Sequence, residues 1–264
     1  MNLKFETINF EIVENIAIIH LNRPNSYNSL NAKMAKELLE ISYECDTNKK
    51  IRAIILTGEG DKAFCAGGDL KSFHETGNVA KHLKMVTHDL HGAITKFSRM
   101  NSPLIVAVNG VAAGAGLSFV GFADLAIAKS SATFVSAYTK AGLTPDGSSS
   151  YYLPRIIGIR KYLELVMTNK VLSSEEALSW GLLNYVYDDK NFWNETVKLA
   201  DNLSKGPTLA YGKTKRFIHN SLNSTLETQM ELETKMISES AETNDGQKGI
   251  QAFLKKEKPN FEGK

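Results

Sequence analysis

Three short glycine-rich segments carry most of the chemistry this chain offers. Ala63 to Leu70 reads AFCAGGDL, Gly110 to Ser118 reads GVAAGAGLS, and Thr144 to Ser150 reads TPDGSSS. Small residues let a ligand approach the backbone, whose N–H groups donate hydrogen bonds without help from a side chain. The second segment follows the apolar run LIVAV. A strand, a turn and a helix start at that place would leave N–H groups unpaired where negative charge is favoured. Each segment also has a plainer use. Gly67-Gly68-Asp69 and Pro145-Asp146-Gly147 are turn chemistry, and Asp146 can cap a following helix. Gly110 to Ser118 fits close packing of a helix through small residues.

Other chemistries lack their residues. Gly114 and Gly116 supply two glycines of a dinucleotide fingerprint, but Phe119 stands at the third place and Asp124 comes too soon for the ribose acid. The histidines His20, His74, His82, His88, His91 and His219 form no HExxH pair and lie near no cysteine pair, so no metal site is expected. His88 and His91 read as solvated positions on a helix surface. No GxSxG elbow is present, which removes a serine hydrolase. Cys45 and Cys65 are too few for a disulfide framework and fit a reducing compartment.

Composition bounds the rest. The 264 residues include 31 basic and 29 acidic side chains, a surplus of 2. That balance does not suggest a nucleic-acid partner, yet it leaves room for a local basic patch facing a phosphorylated ligand. No apolar run approaches the roughly 20 residues of a membrane span. The first thirty residues resemble neither a secretory nor a transit peptide. A soluble, cytoplasmic protein with no membrane contact is expected.

The elements that must position these segments alternate between strands and helices, which places the chain in the α/β class. Strands are predicted at Ile16 to Leu21, Ile51 to Thr57, Leu104 to Val108, Leu125 to Ala128 and Thr133 to Val135. Asn31 caps a helix with Met34, Leu38, Ile41 and Cys45 on its buried face. A second helix turns Leu83, Val86, Leu90, Ile94 and Phe97 to one side. Arg160 to Met167 is helical, and Ser173 with Glu176 forms a capping box. From about Asn191 to Lys256 the pattern is helical and charged, divided at Pro207 and around Asn220 to Ser224.

Taken together and in order, the motifs resemble the enoyl-CoA hydratase/isomerase (crotonase) superfamily. The match spans Asn22-Arg23-Pro24, AFCAGGDL, NGVAAGAG from Asn109, the stretch from Phe134 to Gly158, and FLKKEKPNF near the end. The resemblance implies an α/β spiral of β-β-α turns over residues 1–200 and a helical C-terminal region, 201–264, that assembles a homotrimer or homohexamer. It implies an acyl-CoA thioester as ligand, with coenzyme A as part of the substrate and no separate cofactor. By position it gives the thioester oxygen to the backbone N–H groups of Ala66 and Ala115. It places Ser26, Tyr27, Gly67, Gly68 and Asp69 near the CoA portion, and Phe253 and Lys256 near its adenine and phosphates, often from a neighbouring subunit.

The chain departs from the family's hydratases at both catalytic glutamates. Ser118 takes the place of the first and Tyr138 that of the second. Asp146, eight residues after Tyr138, resembles the aspartate of isomerases related to the ring-opening enzyme of phenylacetate breakdown. It also matches the nucleophile of 4-chlorobenzoyl-CoA dehalogenases, which carry Trp where this chain has Tyr138. An enoyl-CoA isomerase using Asp146 as acid and base is therefore the leading expectation, with Leu153 and Ile156 as its apolar surroundings and Tyr138 positioning the acyl group or the carboxylate. The alternatives are a hydratase with a non-standard base, a dehalogenase or thioesterase, and a non-catalytic CoA- or RNA-binding member.

Overall fold

The computed structural model describes residues 4–264. An antiparallel hairpin, β1 (Ile8–Val13) and β2 (Ile16–Leu21), leads into α1 (Ala32–Thr47). Three β-β-α turns follow. The first is β3 (Ala53–Gly58), β4 (Ala63–Cys65), α2 (Leu70–His74) and α3 (Val79–Arg99). The second is β5 (Leu104–Val108), β6 (Val111–Ala113) and α4 (Ala115–Phe122). The third is β7 (Leu125–Lys129), β8 (Thr133–Val135), a 3-10 turn at Tyr138–Ala141 and α5 (Ser149–Ile157). Next come α6 (Ile159–Thr168), β9 (Leu172–Ser173), α7 (Ser174–Ser179) and β10 (Tyr185–Tyr187). The chain then becomes helical, with α8 (Phe192–Ser204), α9 (Thr208–Ser221), α10 (Leu226–Ala241) and α11 (Asn244–Lys255).

The first strand of each turn joins one sheet, ordered β1-β2-β3-β5-β7-β10, and the second joins another, ordered β4-β6-β8-β9. β3, β5 and β7 run parallel, as do β4, β6 and β8. Each turn thus advances one strand in both sheets, which is the expected spiral. Its consequence is local. The loops that leave β4, β6 and β8 at their carboxyl ends lie side by side, and these loops hold the three glycine-rich segments.

The apolar runs form parallel strands because both faces of the larger sheet are covered. Alternate residues feed two cores. Ala17, Ile19, Ile54, Leu56 and Val106 enter the main core with α1 and α3. Ile16, Ile18, Ala53, Ile55 and Ile105 pack with Phe192 and Ala200 of α8. Adjacent turns approach until no Cβ fits. A side-chain carbon on Gly116 would overlap the Cys65 carbonyl, and one on Gly110 would stand 2.7 Å from the Lys62 oxygen.

Most predicted elements stand where the periodicity placed them. Asn31 caps α1 by accepting from the Met34 N–H at 2.9 Å, and the Ser173–Glu176 capping box is formed. β1 had no prediction, since charged and polar residues interrupt its apolar positions and most of it is exposed. The predicted Ile51 strand begins at Ala53. The turn after LIVAV contains β6, which pairs with β4 and β8 before the helix starts. Asp146 does not cap α5; Ser148 precedes that helix, and the Asp146 carboxylate is engaged elsewhere.

The helical tail is pinned by cations. Lys215 Nζ meets Asp124 Oδ2 at 2.8 Å and the carbonyls of Phe97 and Ser102 at 3.0 and 3.2 Å. Arg52 holds the Gly206 and Phe261 carbonyls. α10 and α11 also present large apolar side chains outward, with Ile237 72%, Phe253 82% and Leu254 76% exposed. Among the described residues, no helix is long and apolar enough to cross a membrane.

Candidate active site

The first glycine-rich loop is held by a bracket built from Arg23 to Asn28. Tyr27 and Asn28 are both left-handed, with φ of 52° and 54°. The Asn28 amide donates to the Glu59 and Ala63 carbonyls at 3.0 and 2.8 Å, and its oxygen accepts from the Arg23 N–H. The guanidinium of Arg23 reaches Asp69 at 2.8 Å. Asp69 also accepts from the Ser72 N–H, capping α2. Burial alone would raise the Asp69 carboxyl; the Ser72 amide and the Arg23 guanidinium outweigh it and hold it below the ordinary aspartate value. Asp69 is therefore committed to the loop's architecture and does not line the cavity described below.

This bracket corrects one expected donor. The Ala66 N–H is already given to the Tyr27 carbonyl at 3.0 Å, so it is not free for a ligand. Two residues on, the Gly67 carbonyl accepts from Leu30 N–H at 2.7 Å. No peptide is cis, and in a trans peptide the N–H lies opposite its carbonyl. The Gly68 N–H thus points away from Leu30, and Gly67 lies close to the Ala113 carbonyl and Gly114. Ala115 is the first residue of α4, so its N–H has no partner within the helix. Gly114, at φ 51° and ψ −116°, makes the reversal that aims it.

Both amides border one cavity of about 340 Å³. Ala66, Gly67 and Tyr138 join them, and Phe73, Leu83, Val86, Leu90 and Leu143 form an apolar wall. Among the described residues, Asp146 is the only charged group in the lining. The apolar residues that share this lining with it include Leu83, Val86 and Leu90 of α3, together with Leu143. Leu153 instead packs beneath Gly121, and Ile156 lines a different depression.

The Asp146 carboxylate meets an unexpected partner: His91 Nε2 stands 2.8 Å from Oδ1. With the carboxylate ionised, Nε2 carries the proton and donates it. The two side chains are 51% and 36% exposed, respectively, so water reaches the pair. His91 is not merely a solvated helix position. The signal available in the sequence was spacing: Leu83, Thr87 and His91 follow at intervals of four, one stripe of α3, and the first two line the cavity.

Ser118 and Tyr138 hold the Asp146 backbone. Ser118, fully buried, donates from Oγ to the Asp146 carbonyl at 2.8 Å. Tyr138 Oη lies 3.0 Å from Ser118 Oγ and 3.2 Å from the same carbonyl. Burial pushes the Tyr138 phenol well above its ordinary value, so it stays a donor. Cys65, beneath the loop, is pushed up to about 12 by burial and is an inert thiol. Ser26 and Tyr27 lie within the bracket, with the Tyr27 side chain exposed. Phe253 and Lys256 lie on the far end of α11 and do not reach the cavity within one chain. Among the described residues, no cluster of acids, histidines or cysteines suits a metal.

A sequence model described as enoyl-CoA hydratase/isomerase matches residues 11–264. The chain belongs to this family. The 1,2-epoxyphenylacetyl-CoA isomerase of Escherichia coli (strain K12) is 34% identical over 261 residues, covering 98% of this chain and 99% of that protein. The 4-chlorobenzoyl coenzyme A dehalogenase-2 of Arthrobacter sp is 34% identical over 232 residues, 87% of this chain and 84% of that protein. The crystal structure of an enoyl-CoA hydratase from Bacillus anthracis superimposes with a TM-score of 0.91 at 28% identity, covering 98% of this chain and 100% of that one. The fold is thus that of the hydratase/isomerase family, and these relatives carry three different reaction names.

Proposed function

We propose that this family member shifts a double bond in an enoyl-CoA, with Asp146 as the proton carrier. Asp146 removes a proton from C2 of a 3-enoyl thioester. The electron pair moves onto the thioester oxygen, giving a dienolate, and the same proton returns at C4. The observation that carries this reading is the solitary carboxylate in the lining. Hydration in this family needs two, whereas a proton shuttle needs one. The Gly68 and Ala115 amides would take the oxygen, and losing one such donor typically costs about 3–4 kcal/mol of transition-state stabilisation. The start of α4 adds its dipole to Ala115. His91, 2.8 Å from the carboxylate, aligns it.

The exposed apolar side chains of α10 and α11 support assembly into a trimer or hexamer, in which Phe253 and Lys256 of one copy would approach the CoA bound by another. Sedimentation showing a stable monomer at micromolar concentration would remove that part.

A second reading rests on His91. An imidazole touching the carboxylate can take a proton from water, so Asp146 could attack the substrate and His91 drive release of the resulting ester, as a dehalogenase or thioesterase would require. Mass spectrometry on a panel of acyl-CoA substrates separates the readings. Isomerisation leaves the mass unchanged while the ultraviolet spectrum moves; hydration adds one water; thioester hydrolysis releases the CoA thiol. Addition of water to every enoyl-CoA tried, without isomerisation, would overturn the proposal.

A further inference from the structure

A second cavity, of about 510 Å³, opens between α3, α5 and α9. It is a neighbour of the first. α3 lines the first cavity as far as Leu90 and the second from Ile94; the loop before α5 lines the first up to Asp146 and the second from Ser148. His91 and Gly147 lie between them, Gly147 against Ser118 and Leu90.

The charged lining of this second cavity is cationic. Arg99 and Arg216 face it and no carboxylate does, while Ser148, Tyr151, His219 and Asn220 add neutral donors. Arg216 is held in place by the Arg99 carbonyl and Asn101 Oδ1, both at 2.9 Å and both uncharged. The Arg99 guanidinium makes no hydrogen bond or ion pair among the described residues. Asp46, whose field reaches Arg216, is taken by Lys96 at 2.8 Å and lies outside the lining. Lys215 has Asp124 and Arg23 has Asp69, and the buried Arg52 is taken up by the Gly206 and Phe261 carbonyls and Thr208. Two guanidiniums sharing a cavity without a counter-charge repel each other. Their planar forks match the two oxygens of a carboxylate or phosphate, and such charge-assisted pairs are the strong ones.

We propose that this cavity is an anion site for a carboxylate or phosphate group, filled independently of the acyl-CoA cavity. The proposal does not depend on which reaction Asp146 performs.

Calorimetry on the full chain tests it, with inorganic phosphate and succinate as probes, each with and without saturating acyl-CoA. One saturable site is expected for at least one probe, and which probe binds identifies the source of the oxyanion. Arg99→Gln and Arg216→Gln should each weaken it about tenfold or more. Arg155→Gln is the control, because that guanidinium stacks on Tyr151 at 3.8 Å outside the cavity lining and should leave the affinity unchanged. Arg216→Gln loses two contacts and can unfold; Arg99→Gln loses none and decides the matter alone. No saturable binding, an equal loss in Arg155→Gln, or displacement of the probe by acyl-CoA would each overturn the proposal.

Discussion

His91 and Asp146 should be separable by mutation, and the size of the separation follows from their contact. A hydrogen bond to a charged group contributes about 1.5–3 kcal/mol when sheltered. Here the two side chains are 51% and 36% exposed, so solvent screening reduces the worth of the 2.8 Å contact to ~1 kcal/mol. Replacing His91 by Gln should then slow an Asp146-driven proton transfer only about fivefold. Asp146→Asn removes the proton carrier and should cost roughly 10²–10⁴-fold. The assay is deuterium exchange at C2 of a saturated acyl-CoA, read by mass spectrometry, because it needs only the base and the oxygen-binding amides. Binding of the acyl-CoA should survive both changes, since the donors are backbone groups. If His91 instead activates water, His91→Gln leaves exchange nearly intact while hydrolysis falls by roughly 10²-fold or more. Near-normal exchange in Asp146→Asn would refute the assignment of the base and return Pro145-Asp146-Gly147 to a simple turn.

Further outcomes follow from packing and charge. Tyr138→Phe should lower exchange several-fold with little loss of acyl-CoA affinity, because the phenol steadies the Asp146 carbonyl; a loss as large as that of Asp146→Asn would make Tyr138 itself the reacting group. Gly116→Ala drives a carbon into the Cys65 carbonyl, so a drop of at least ~1–3 kcal/mol is expected in thermal or urea unfolding, and an unchanged midpoint would contradict the close approach of the turns. Lys215→Met strands Asp124 with only the Leu104 N–H as partner; a loss of ~3 kcal/mol is expected, recovered in part by adding Asp124→Asn. The Asp69 carboxyl is depressed in the folded state, so its pair with Arg23 stabilises above the unfolded value of about 3.9. That stability is lost as pH falls through the folded value. Arg23→Gln should flatten this part of the acid limb in urea titrations, and an unchanged limb would count against it.

The fold was legible where periodicity and local capping agree. Strands covered on both faces read as unbroken apolar runs, and Asn31 and Ser173 announce their helices. β1 escaped because it is a mostly exposed hairpin strand with interrupted alternation. β6 escaped because three residues paired only to other short strands leave no period to detect. At the site, sequence singled out three loops that the structure brings to one cavity, and the family resemblance singled out Asp146, which lines it. Sequence did not show which amide of AFCAGGDL is free, since that depends on Tyr27, whose left-handed turn lies nearly forty residues away in the chain. Nor did it show His91, whose partner arrives from a different turn of the spiral.

The bracket at Tyr27 has a consequence for how this site can be interrogated. By occupying the Ala66 amide it leaves the proposed oxygen-binding role to a peptide N–H that every amino acid except proline would supply. Side-chain scanning is blind to such a donor. A substitution at Gly68 reports a collision with the Phe73 ring, 2.8 Å from where a Cβ would stand, and tells nothing about the hydrogen bond. Only exchanging that backbone amide for an ester, by semisynthesis with an α-hydroxy acid at position 68, would delete the proton and keep the shape.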